Sequence, residues 1–111
     1  RIWDKKCRRW LHGFVIDEEG RIYIDQVSIE RKYADIAVNY FTGLTDEIGI
    51  KIFEDDILDM AGIVGVVKYI SPSFVLLTKD GFYPICSLER KKVLGNIHEH
   101  CNLLVSLFKR A

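Results

Sequence analysis

Cysteine is scarce, and what there is cannot make a framework: Cys7, Cys86 and Cys101 are odd in number and widely spaced. That excludes the disulfide-stapled class of small domains. Net charge is lacking as well, since 16 Lys and Arg balance 16 Asp and Glu. A whole-protein electrostatic pull toward nucleic acid or an anionic membrane is therefore excluded. No apolar run approaches the ~18 residues of a membrane helix, and no signal-peptide pattern opens the chain. The expectation is a soluble, cytoplasmic protein without a membrane partner. The chain opens on Arg1 rather than Met, so residues before Arg1 are expected to be missing. Internal repeats, low-complexity segments, long linkers and the G-x-S-x-G, P-loop and dinucleotide patterns are all absent.

What is present suits one globular domain. A chain of 111 residues and 12.9 kDa exposes roughly 6,000 Å² folded against about 19,000 Å² unfolded. About two-thirds of its surface can be buried, enough for a core without disulfides or metal. The 49% apolar and 29% charged composition is that of a folded protein.

Hydrophobic periodicity is mostly two. Arg9–Ile16 reads as a strand ending in the turn Asp17–Gly20, and Arg21–Ile29 as its hairpin partner. Tyr33–Phe41 fits both periods. Ala34, Ile36, Val38 and Tyr40 alternate as in a strand, whereas Ile29, Tyr33, Ile36 and Tyr40 fall at helical spacing. β-branched Ile36 and Val38 favour a strand over Ile36–Phe41, after a loop with a helical turn near Glu30–Asp35. Strands follow at Ile50–Phe53, Ile57–Met60, Gly65–Ile70, Phe74–Thr78, Phe82–Leu88 and Val93–Ile97, separated by tight turns. Such short strands fit a small closed or partly closed barrel, which removes exposed edges. The tail 101–111 predicts a short helix with Asn102 as N-cap, an apolar stripe of Leu103, Leu104, Leu107 and Phe108, and basic residues at its end.

Four segments carry a resemblance: Trp3–Lys6 (WDKK), Phe41–Leu58 (FTGLTDEIGIKIFEDDIL), Gly65–Tyr69 (GVVKY) and Val93–Glu99 (VLGNIHE). In order and spacing the chain resembles the YopX-like proteins of phages and prophages, over nearly its whole length. The resemblance implies a phage or prophage origin and a β-rich fold with an SH3-like barrel in the C-terminal part. It implies no activity, because the family has none established. The chain departs from the family pattern at Ile48, where the pattern has Asn before Gly49, at Asp55, where it has Gly, and at His100–Asn102, where it usually has Asn-Pro before the leucine pair. The mainly β architecture then reads as an N-terminal β-hairpin or meander over 1–40, an SH3-like small barrel over 41–100 and a short C-terminal helix over 101–111.

The carboxylates Asp46, Glu47, Glu54, Asp55 and Asp56 invite a Mg²⁺-nuclease reading. Turn formation is the stronger one: Asp and Gly close turns through local backbone hydrogen bonds, and an Asp at a strand end accepts from free N–H groups. Gly43, Gly49, Asp55, Asp56 and Gly95 are therefore read as structural turns, the glycines at positive φ. His98, His100 and Cys101 have a spacing that matches no compact zinc site, and Cys7 and His12 lie far off in sequence. A nucleophilic cysteine would need a base that nothing nearby supplies. No metal, cofactor or catalytic residue is expected.

Small barrels also bind nucleic acid through aromatics flanked by basic residues. Trp3, Trp10, Tyr23, Tyr69 and Tyr83 are available, with Lys5, Lys6, Arg8 and Arg9 beside the tryptophans. Zero net charge opposes this reading, and core packing is the commoner role for Trp3 and Trp10. A second basic run, Arg90–Lys92, reads as a solvated turn. The expected function is a non-enzymatic protein-interaction or regulatory module with a host or phage protein as partner, Lys5, Lys6, Arg8, Arg9 and Trp10 being the candidate interaction surface. A nucleic-acid-binding small-barrel module is the alternative. Self-association through the strand edge near 21–29 is a further expectation.

Overall fold

The computed structural model describes residues 1–16, 18–19, 22–24, 36–85 and 89–108. The chain divides into two units, Arg1–Asn39 and Tyr40–Ala111. Its elements are β1 Ile2–Asp4, β2 Arg9–Trp10, β3 Phe14–Ile16, β4 Ile22–Ile24, β5 Ile36–Val38, β6 Phe41–Thr45, β7 Lys51–Phe53, β8 Asp56–Met60, β9 Ile63–Ile70, β10 Ser73–Thr78, β11 Gly81–Pro84, β12 Lys91–Asn96 and α1 Cys101–Phe108. The protein is mainly β, and among the described residues every strand pairing is antiparallel.

In the first unit, β1 is the centre of a sheet ordered β2-β1-β5, and β3 pairs with β4 as a separate hairpin. Ile2, Leu11 and Ile36 form the buried cluster, with Phe14 and Val38 packed against it. The single strand expected over Arg9–Ile16 is two. Gly13, at φ 67°, breaks the chain after Leu11, whose N–H donates to the Ile2 carbonyl at 2.9 Å. The strand expected over Ile36–Phe41 is also divided, because Asn39 turns its N–H to the Arg1 carbonyl at 2.8 Å and is itself buried. Of the expected turn at Asp17–Gly20 the described residues include Glu18 and Glu19, which form a turn; the second half of the strand Arg21–Ile29 and the helical turn at Glu30–Asp35 lie outside the described residues.

In the second unit, five strands form a sheet ordered β11-β10-β9-β8-β12, accompanied by the hairpin β6-β7. Ile52 from the hairpin joins Leu58, Met60, Val67 and Leu76 from the sheet in one buried cluster, with Leu44, Phe74, Ile85 and Val93 at its margin. Ile57 and Val66 are cross-strand partners on the opposite face and are also buried, so the middle of the sheet is covered on both sides. α1 lies beside β9. The sheet is open: among the described residues no pairing joins β11 to β12, so of the closed or partly closed barrel expected, the closed form is not made. The closeness of β9 and β10 explains Gly65. A Cβ there would stand 2.4 Å from the Leu77 carbonyl oxygen, a backbone atom that cannot turn aside.

α1 begins one residue earlier than the cap expected at Asn102. Its first turn is closed by Leu103 N–H donating to the His100 carbonyl at 3.0 Å, so His100 occupies the capping position and Asn102 lies inside the helix. The basic residues expected at the helix end lie outside the described residues.

Candidate functional site

The Phe41–Leu58 stretch is built from three side-chain devices. In the first, Gly43 at φ 86° shifts the β6-β7 register between Phe41 and Thr45. The Thr42 hydroxyl bridges the gap, donating to the Ile52 carbonyl at 2.8 Å and accepting from Leu44 N–H at 3.2 Å. A side chain thus supplies the pairing the ladder gives up at the bulge.

The second device is Asp46. Its Oδ1 accepts from Ile48 N–H at 3.0 Å and Ile50 N–H at 2.9 Å, while Gly49 takes φ 87° to complete the turn. Its Oδ2 accepts from Val93 N–H on β12 at 3.2 Å. Burial pushes this carboxyl up, but the backbone donors of Ile50, Val93, Ile48 and Gly49 outweigh it and hold the pKa below its ordinary 3.8. Glu47 N–H donates to the Lys91 carbonyl at 3.0 Å, so the turn covers the start of the β12 edge.

In the third, the Phe53–Asp56 turn, Asp56 Oδ2 accepts from Phe53 N–H at 2.8 Å, and Asp55 takes φ 71°. Asp55 is also buried. Its carboxylate meets Lys68 Nζ at 2.5 Å and His98 Nε2 at 3.4 Å. These carboxylates do not converge, and no group of three or more His, Cys, Asp or Glu able to hold a metal occurs among the described residues.

Gly95 differs from Gly43 and Gly49. Positive φ is not what it supplies; it lies at the β12 bulge between Val93 and Gly95, and an added Cβ would stand 2.6 Å from His100 Nδ1. The ring lies there because His100 Nδ1 accepts from Asn96 N–H at 3.1 Å. Asn96 organises the rest of the turn. Its Oδ1 accepts from His98 N–H at 3.1 Å and Glu99 N–H at 2.9 Å, and its Nδ2 donates to Glu99 Oε1 at 3.1 Å. The His98 and His100 rings therefore have separate polar partners, and Cys101 is exposed at the helix start.

In the first unit, Asp4 Oδ1 accepts from Lys6 N–H at 3.0 Å and Cys7 N–H at 3.2 Å, closing the β1-β2 turn. Lys5, Lys6, Arg8 and Arg9 are exposed on this turn. Trp10 faces Trp3 across the ladder, edge to face at 4.9 Å between centroids, and the Arg1 guanidinium lies 4.3 Å from the Trp10 ring. Trp3 is buried and Trp10 half-buried, so both rings are committed to packing as well as to any outward role.

Sequence reasoning passed over an aromatic slot of about 370 Å³ lined by Tyr40, Tyr69 and Phe74. Tyr69 and Phe74 are cross-strand partners with centroids 5.0 Å apart, and Phe74 also borders the core cluster. The slot thus opens at the surface and adjoins the core of the second unit at Phe74. Its signal was the pair Tyr69 and Phe74 flanking the β9-β10 turn, which period-two patterning alone assigns to one face.

No helix among the described residues is long and apolar enough to cross a membrane. A comparison with curated proteins found no match. The model of one family, described as YopX protein, matches residues 1–105, and the chain belongs to the YopX family.

Proposed function

We propose that this chain is a phage- or prophage-encoded accessory protein that acts in the host cytoplasm by binding another protein rather than by catalysis. The observation that carries this reading is the aromatic slot. Tyr40 and Tyr69 are 66% and 50% exposed although Phe74, which lines the slot with them, belongs to the core margin. Aromatic rings held at the surface beside a rigid sheet are the kind of residue that anchors protein interfaces. An SH3-like arrangement is supported by the strand order: β8 to β11 run as a meander, and β12 returns to pair with β8.

The test is capture from phage-carrying cells with the tagged chain and with a Tyr40→Ala/Tyr69→Ala variant in parallel. A host or phage protein retained by the former and lost by the latter, with unchanged circular dichroism, supports the reading. Equal recovery by both overturns it. A second reading, nucleic-acid binding, is favoured by the exposed Lys5, Lys6, Arg8 and Arg9 turn. A salt-dependent DNA shift that disappears when these four residues become Ala would replace the first reading with the second.

A further inference from the structure

The turn that joins β12 to α1 holds two histidines two residues apart whose rings do opposite things. His98 Nε2 faces the Asp55 carboxylate at 3.4 Å, with both side chains mostly buried. A proton on His98 places a cation against that carboxylate. His100 Nδ1 accepts the Asn96 N–H at 3.1 Å. A backbone N–H can only donate, so this contact requires an unprotonated Nδ1, and an imidazolium, with both nitrogens donating, cannot make it.

We propose that the Asn96–His100 turn is a proton-operated latch: neutral His100 closes it over the start of α1, protonated His100 opens it, and His98 stays anchored on Asp55. Three features make His100 the moving part. With a proton on Nδ1 two N–H groups would face each other across the 3.1 Å contact with Asn96, and His100 is exposed, so its ring can swing out into water to relieve this. His100 also caps α1, whose N-terminal end carries the positive pole of the helix dipole, so a cation there is repelled. Finally, the His100 backbone makes both adjoining turn bonds. Its N–H donates to the Asn96 carbonyl at 2.9 Å, and its carbonyl accepts from Leu103 N–H at 3.0 Å. Expelling the ring therefore loosens the first turn of a helix that already exposes Leu103 and Val105. Among the described residues, the titratable and charged groups around the turn are Asp55 from the β7-β8 turn, which meets both Lys68 of β9 and His98, together with Glu99 and Cys101 along the turn and helix.

The experiment is a nuclear magnetic resonance pH titration of the whole chain, followed at the histidine rings. At high pH, His100 Nδ1 is expected to show the shift of an unprotonated acceptor, with coupling across the hydrogen bond to Asn96 N. On acidification the Asn96 amide shift should follow the His100 ring, and hydrogen-exchange protection at Leu103 should fall roughly tenfold, the equivalent of about one hydrogen bond. In His100→Asn an oxygen acceptor replaces the ring nitrogen without a titrating proton, so the Leu103 protection should no longer depend on pH over the titration. In His98→Gln the transition should persist. An Asn96 amide indifferent to the His100 titration overturns the latch in the wild-type chain alone, whatever the variants do. So does a Leu103 transition that survives in His100→Asn.

Discussion

Val93 and Asp46 are 47 positions apart, and the backbone N–H of one donates to the carboxylate of the other at 3.2 Å. The bond ties the hairpin turn of β6-β7 to the strand that closes the order of the five-stranded sheet. With Ile48 and Ile50 it gives one buried carboxylate three backbone donors. Asp46→Ala strands those donors and is expected to cost about 2–3 kcal/mol, since a buried group left unsatisfied costs about 1–3 kcal/mol. Asp46→Asn keeps one oxygen acceptor and should cost less. Urea unfolding of the three chains checks this ranking.

The same carboxylate sets an acid limit. Its folded pKa lies below the ordinary 3.8. Its charged form is therefore favoured by folding, and its contribution is fully present above the unfolded value and lost as pH falls through the folded one. Wild type should lose stability below pH ~4 more steeply than Asp46→Asn. Parallel slopes for the two chains in acid would show that Asp46 is not a source of this dependence.

The β character was legible because short runs rich in β-branched and aromatic residues, such as Phe74–Thr78, are bounded by turn residues, here Ser71-Pro72-Ser73 before and Asp80-Gly81 after. β1 was not: Ile2, Trp3 and Asp4 are all buried, so no alternation marks the strand. The cap of α1 was misread because the helix-start rule looks for Asn, Asp, Ser or Thr. His100 holds the position through its backbone carbonyl, which accepts from Leu103 N–H, while its ring nitrogen is spent on Asn96 N–H outside the helix. The role of Asp46 was half legible. Its turn with Gly49 is local, but the bond to Val93 depends on pairings across the sheet that a single sequence does not encode locally. Thr42 was missed for a related reason, since its hydroxyl matters only once Gly43 has broken the ladder.

Two glycines should respond to Ala for different reasons. At Gly65 the obstacle is the Leu77 carbonyl oxygen at 2.4 Å, so backbone must shift in a packed sheet, at a cost typical of overpacking, about 1–3 kcal/mol or more. At Gly95 the obstacle is the His100 ring. Gly95→Ala should therefore be costly in the wild-type chain and nearly free in a His100→Ala background. A double-mutant cycle on the melting temperature reads the coupling, and additivity would show that the ring is not what Gly95 accommodates.

The basic turn is expected to contribute little to folding. Lys5, Lys6, Arg8 and Arg9 are exposed, and Asp4 closes the turn by accepting from Lys6 and Cys7 N–H. Replacing all four by Ala should leave the melting temperature within a few degrees, whereas Trp3→Ala should cost about 3–5 kcal/mol as a buried aromatic. A fall of comparable size in the quadruple variant would assign these charges a structural role.

The acidic run Glu54–Asp56 gives the last prediction. Asp55 sits at φ 71°, where Asn and Gly are tolerated and Ala pays about 1–2 kcal/mol. Its carboxylate is engaged by Lys68 and His98, while Asp56 is engaged by Phe53 N–H. Asp55→Gly relieves the backbone but loses the ion pairs, and Asp55→Asn keeps the tolerance and loses the charge. Asp55→Ala loses on both counts and should melt lowest of the three. Asp56→Asn keeps an acceptor for Phe53 N–H and should retain the fold, whereas Asp56→Ala should cost on the order of 1 kcal/mol or more. With both carboxylates engaged by protein groups, Mg²⁺, Mn²⁺ and Ca²⁺ are expected to leave the wild-type melting temperature unchanged. A cation that bound the folded chain would raise it in a saturable way. A rise of that kind that vanishes in Asp56→Asn would make this turn a cation site and overturn the structural reading of its carboxylates.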